Sequence, residues 1–142
     1  MDFCELSPEL SRNWRGLRLW LPYKLHGVAA FRQALAEKRR LAVHAWQRLS
    51  LEPDVEIAAP PELSLFAFRQ QFKGVSREEE NRRNRVLLER INESRRIMIT
   101  GTEMNGYYFL RICILHLRTH EAIVHEGLDR IVQTLREARD DF

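Results

Sequence analysis

Asn105-Gly106 lies between two runs rich in β-formers, Ile97–Thr100 and Tyr107–Ile114, and that dipeptide tolerates the positive φ angles of a tight hairpin. The pairing it predicts is antiparallel, because so short a turn returns the chain alongside itself. Two further strands are expected upstream. Val55-Glu56-Ile57 alternates before Pro60-Pro61 forces a turn. Leu63, Leu65, Ala67 and Arg69 then alternate with Ser64, Phe66 and Phe68, a strand apolar on both faces that Lys73-Gly74 closes.

Around these strands the apolar period becomes helical. From Arg12 to about His26, Trp14, Leu17, Leu19, Trp20, Leu21, Tyr23 and Leu25 are dense, and Pro22 is expected to kink or shorten that helix. His26-Gly27 marks a break, and a second helix runs from about Val28 to Ser50, with Phe31, Leu35, Leu41, Ala45, Trp46 and Leu49 at three- and four-residue steps. Ser76 with Glu79 forms a capping box for a third helix, whose stripe is Val86, Leu87 and Ile91. Glu78, Glu79 and Glu80 stand at its positive end and Arg90, Arg95 and Arg96 towards its negative end. Thr119 is expected to cap a last helix with Ile123, Leu128, Ile131, Val132 and Leu135 on its apolar side. The order α-α-β-β-α-β-β-α predicts an α+β fold, a small antiparallel sheet covered by helices.

At 142 residues, with 44% hydrophobic and 30% charged, the chain has the size and balance of one soluble globular domain. No apolar run approaches a membrane span, and the acidic start Met1-Asp2-Phe3-Cys4-Glu5 has no apolar h-region. The expected location is cytoplasmic, with Cys4 and Cys113 as reduced thiols. The formal charge is only +3 and its basic residues are mixed with acidic ones, so neither a nucleic acid nor a membrane is expected as partner. Aromatics alternating with arginine (Phe66, Phe68, Arg69; Tyr107, Tyr108, Phe109, Arg111) leave an RNA-binding sheet as a remote rival, which salt-dependent binding to single-stranded RNA would reveal.

Catalytic patterns are scarce. His116, His120 and His125 cluster in sequence, but their spacing points them apart and no metal site is expected. There is no glycine-rich phosphate loop and no nucleophile elbow. Cys113 falls inside an apolar strand, where a thiol is expected to be a buried, inert hydrophobe. The residues alone therefore define a fold and no reaction.

A series of short motifs goes further. Ser11-Arg12-Asn13-Trp14-Arg15-Gly16-Leu17-Arg18-Leu19-Trp20, then His26-Gly27-Val28 with Phe31 and Arg32, opens it. Leu65-Phe66-Ala67-Phe68-Arg69, Asn84 to Ile91-Asn92, and Leu110-Arg111-Ile112-Cys113-Ile114 with Arg118-Thr119 follow. Together they resemble, in order and over about residues 2–137, the C-terminal region of the group II pyridoxal-phosphate-dependent amino-acid decarboxylases, the aromatic-L-amino-acid decarboxylase family. Asn13 departs from that family's commoner Arg.

The resemblance implies part of a fold-type I enzyme, a homodimer that removes carbon dioxide from an L-amino acid with pyridoxal 5'-phosphate as electron sink. Residues 1–52 would complete the edge of the cofactor-binding large domain, which is the expected partner, and residues 53–142 would form the small α+β domain. The family's Schiff-base lysine follows a His; here Lys24 follows Tyr23, Lys38 follows Glu37 and Lys73 follows Phe72, so none matches. The chain alone is therefore expected to be inactive and to bind no cofactor, with no catalytic residue of its own. Ser11 and Arg12 are the candidates for the pocket edge, where the small residue would influence substrate size; as a plain helix start, Ser11 is an N-cap and Arg12 an ion-pair partner. The Trp14–Trp20 region favours an aromatic or related substrate. The rival from another class is a stand-alone structural or interaction domain descended from such an enzyme.

Overall fold

The structure is a computed structural model and describes residues 13–141. The chain divides into two compact units, residues up to Leu35 and residues from Ala36 onward. Helix α1 (Arg15–Ser50) contributes to both and is broken at Gly27, whose backbone (φ 73°, ψ 158°) lies where only glycine sits without strain. This is the break expected at His26-Gly27, whereas the kink or shortening expected at Pro22 is not observed. Pro22 stays within helical geometry, since a proline deletes one backbone donor without dictating a positive φ. In the first unit Tyr23 and Phe31 stack across the break, with ring centroids 4.3 Å apart.

The second unit carries β1 (Val55–Ile57), β2 (Leu65–Gln70), α2 (Arg77–Glu93), β3 (Thr100–Met104), β4 (Tyr107–Cys113) and α3 (Glu121–Asp141). The strands form one sheet in the order β1-β2-β4-β3, antiparallel throughout. Asn105 (φ 54°) and Gly106 (φ 79°) make the β3–β4 turn, as the dipeptide requires. Phe66 pairs with Ile112 and Phe68 with Leu110, and these four share one sheet face. Against it pack Leu41, Ala45 and Leu49 of α1, Leu87 and Ile91 of α2, and Leu128, Ile131, Val132 and Leu135 of α3, in one buried core.

Three expectations are corrected. Ile97–Ile99 do not belong to the sheet, and β3 begins only at Thr100. The cause is Asn92: its Oδ1 accepts from the Ile99 N–H at 2.9 Å and its Nδ2 donates to the Ile99 carbonyl at 3.0 Å, so no ladder partner is needed there. Thr119 is not the cap of α3, since the His120 carbonyl accepts the first helical bonds, from Ile123 and Val124. Cys113 is exposed, because it ends β4 on the face away from the core, opposite Leu65.

Candidate functional site

Helix α2 presents asparagines at 81, 84 and 92, and each one closes onto a piece of backbone. Asn84 is fully buried; its Oδ1 accepts from the Gln70 N–H and its Nδ2 donates to the Gln70 carbonyl, both at 2.9 Å. Asn81 accepts from the Tyr108 N–H at 2.8 Å and donates to the Gly106 carbonyl at 2.9 Å. Asn92 holds Ile99 in the same way. A carboxamide offers one acceptor and one donor side by side, the geometry a neighbouring strand would offer. The end of β2, the β3–β4 turn and the entry to β3 are thus pinned to one helix. The Asn84 to Asn92 motif carries fold rather than chemistry.

The helix start uses its acids similarly. Ser76 caps the Glu79 N–H at 3.3 Å, but the other half of the expected box is replaced. The Glu79 carboxylate is taken by Arg82 (2.7 Å) and Arg83 (2.8 Å), and these hydrogen bonds lower its pKa from 4.5 to about 2. Glu80 turns inward, accepting from Arg69 at 2.5 Å and from the Phe72 N–H at 3.0 Å. Arg69, buried and lying 3.8 Å from the Tyr107 ring centre, also donates twice to Glu56, at 2.6 and 3.0 Å. Its guanidinium is committed to two carboxylates, which leaves it unsuited to hold a substrate carboxylate.

The lysines are equally informative. Lys38 is buried and its ammonium donates to Glu37 (2.9 Å) and to the carbonyls of Thr119 (2.7 Å) and Leu117 (3.4 Å). Lys73 is exposed beside Asp54 at 2.9 Å, and exposed Lys24 lies over the Trp20 ring at 5.8 Å. Of the three neighbouring histidines, His120 pairs with Glu37 at 2.9 Å, while His125 contacts the His44 ring at 4.6 Å between centroids. His116 accepts from the Arg118 N–H at 3.2 Å. They do not converge, and among the described residues no three His, Cys, Asp or Glu side chains gather as a metal site.

Two surfaces remain. A cavity of about 220 Å³ opens between the segment Arg96–Ile99, the end of β4 and α3, walled by Ile97, Ile112, Ile114, Val124, Leu128 and Ile131. Arg96 at its edge is paired with Glu126 at 2.8 Å, and the free thiol of Cys113 and Thr119 also line it, so the walls are mostly apolar. In the first unit, Trp14, Leu17, Leu19, Trp20, Leu21 and Leu25 are all exposed. The pocket-edge candidates Ser11 and Arg12, like Cys4, lie outside the described residues. Among the described residues no helix is long and apolar enough to cross a membrane.

No family model matches the chain. It is 33% identical over 120 residues to the aromatic-L-amino-acid decarboxylase of Bacillus atrophaeus, covering 84% of this chain and 25% of that protein. To the phenylacetaldehyde synthase of Petunia hybrida it is 31% identical over 121 residues, 80% of this chain and 24% of that one. Its fold matches the crystal structure of Catharanthus roseus tryptophan decarboxylase in complex with L-tryptophan with a TM-score of 0.80 at 27% identity, over 99% of this chain and 29% of that one. The chain thus spans about a quarter to three-tenths of the length of these relatives.

Proposed function

The chain belongs to the group II pyridoxal-phosphate-dependent amino-acid decarboxylase family, and on that premise we propose that it is the C-terminal region of an L-amino-acid carboxy-lyase. The observation that carries the reading is the match of most of this chain to under a third of each longer relative. The substrate class is aromatic or related L-amino acids, in keeping with the names of those relatives. The N-terminal residues complete the edge of the cofactor-binding domain, and the sheet with α2, α3 and the part of α1 from Ala36 onward forms the small domain of a cytoplasmic homodimer. Ser11 and Arg12 stand at the rim of its pocket.

The described residues do not fit pyridoxal phosphate. Lys38 is engaged by three acceptors and lies in the core, and Lys24 and Lys73 stand in solvent. The start of α2, a natural phosphate cradle as a helix N-terminus, is faced with Glu78, Glu79 and Glu80. No step of the reaction is therefore assigned to this chain. The Schiff-base lysine belongs to the remainder of the enzyme, and the chain alone is inactive.

The test is to isolate the native protein with an antibody to residues 130–141 and assay carbon dioxide release. L-tryptophan, L-tyrosine, L-dopa, L-glutamate and L-2,4-diaminobutyrate form the panel, with amine and aldehyde products separated. A polypeptide several-fold heavier than 16.9 kDa that decarboxylates one of them is the expected result. A 16.9 kDa product with no activity and no associated subunit would leave only the stand-alone domain.

A further inference from the structure

From Asn13 to Ala36 the sequence contains no Asp or Glu, while it carries Arg15, Arg18, Lys24 and Arg32. The same stretch exposes an unusual amount of apolar surface for a helix in water. Trp14 is 77% exposed, Leu25 69% and Leu19 60%, with Leu17, Trp20 and Leu21 also open. At 3.6 residues per turn, Trp14, Leu17, Leu21 and Leu25 fall on one side. Leu19 and Tyr23 lie roughly half a turn away. A helix apolar on opposite sides is built to be enclosed, not to lie on a surface.

That distribution selects the occupant. A planar lipid surface covers one side of a helix and leaves Leu19 or the Trp14–Leu25 stripe in water. A second copy brings three like charges against three, which opposes self-association. Residues 1–12 add Asp2, Glu5 and Glu9, but a single segment of that length covers only one side of a helix about 18 Å long. What fits is a protein groove, apolar within and carrying carboxylates where Arg15, Arg18 and Lys24 emerge.

We propose that the helical segment Arg15–His26 is enclosed by such a carboxylate-rimmed groove, supplied by the cofactor-binding part of the decarboxylase. The proposal rests on the function proposed above and adds the chemistry of the partner surface. The experiment is a chimera in which this chain replaces the matched quarter of the Bacillus atrophaeus decarboxylase, compared with the chain alone by hydroxyl-radical footprinting.

In the isolated chain Trp14 and Trp20 should oxidise rapidly; in the chimera they should be protected at least about tenfold. The triple variant Arg15→Glu, Arg18→Glu, Lys24→Glu should return them towards the unprotected rate. A chimera that takes up pyridoxal phosphate while Trp14 and Trp20 stay reactive overturns the proposal and leaves the family function standing. A chimera that is soluble, protects both tryptophans and takes up no cofactor supports the groove and counts against the function.

The chain alone decides the other occupants. Protection of Trp14 and Trp20 in a monomer would assign the cover to residues 1–12, and protection in a dimer to a second copy. Protection gained on vesicles of phosphatidylcholine with phosphatidylglycerol would assign it to a membrane. Each of these overturns the proposal. If the chimera does not accumulate, salt provides the reading: screening the cations should promote self-association of the chain, and Leu17→Ser with Leu21→Ser should abolish it. Dispersal by salt would contradict the proposal.

Discussion

Asn84 pairs with Gln70 as a strand would, its Oδ1 accepting from the Gln70 N–H and its Nδ2 donating to the Gln70 carbonyl, both at 2.9 Å. The contact is fully buried and joins α2 to the last residue of β2. A third bond, from Nδ2 to the Glu80 carbonyl at 3.0 Å, fixes the rotamer.

Replacing Asn84 by Leu keeps the volume and strands both backbone groups of Gln70 away from water. Each unsatisfied group costs on the order of 1–3 kcal/mol, so Asn84→Leu should destabilise the chain by about 3 kcal/mol. Urea unfolding measures it, and a loss below about 1 kcal/mol would show that water reaches Gln70.

Glycine at 101 is required by a neighbour rather than by a turn. A Cβ there would overlap the Tyr108 hydroxyl, and the Tyr108 ring is itself packed beneath Arg85 with 4.7 Å from guanidinium carbon to ring centre. Gly101→Ala should cost about 2 kcal/mol by overpacking, and Gly101→Ala with Tyr108→Ala should recover part of it. Thermal melts of the single and double variants check the coupling.

Glu52, buried at the end of α1, accepts from Arg48 at 2.7 Å and from Arg136 at 3.0 Å. Burial raises its pKa, but the hydrogen bonds from the two arginines together outweigh that and leave it below 4.5. A depressed folded pKa contributes stability that is present above the unfolded value and lost as pH falls through the folded one. Stability should therefore decline below about pH 4.5, and Glu52→Gln should cost about 1 kcal/mol at pH 7 while flattening that decline. Urea midpoints from pH 7 to pH 3 test it.

Glu79 makes a sharper titration. Hydrogen bonds from Arg82 and Arg83 take its carboxyl from 4.5 to about 2, so its contribution is complete above about pH 4.5 and is lost only as pH approaches 2. Carbon-detected NMR of the side-chain carboxyl should give a midpoint near 2, and the double variant Arg82→Gln, Arg83→Gln should move it back towards 4.5.

Much of the fold was legible because local chemistry and topology agree in it. Asn105-Gly106 demanded the hairpin, Ser76 marked the start of α2, and the apolar steps of α1, α2 and α3 named most of the core. What escaped the sequence depended on side chains reaching across space. Nothing in Ile97-Met98-Ile99-Thr100 shows that Asn92 will satisfy Ile99 and delay the strand. Nor does Thr119 show that Lys38, 81 residues away, will take its carbonyl while His120 begins the helix. Cys113 read as buried because a strand apolar on both faces does not reveal which face the helices cover. The candidate site was legible only through resemblance, and Ser11 and Arg12 fall outside the described residues.

The decisive measurement is where the cofactor attaches in the native protein. Borohydride reduction of the protein isolated from its source, followed by peptide mapping, locates the pyridoxyl-lysine. One adduct is expected, on a lysine that follows a His and lies outside these 142 residues. An adduct on Lys24, Lys38 or Lys73, or none on any associated polypeptide, would contradict the proposed function.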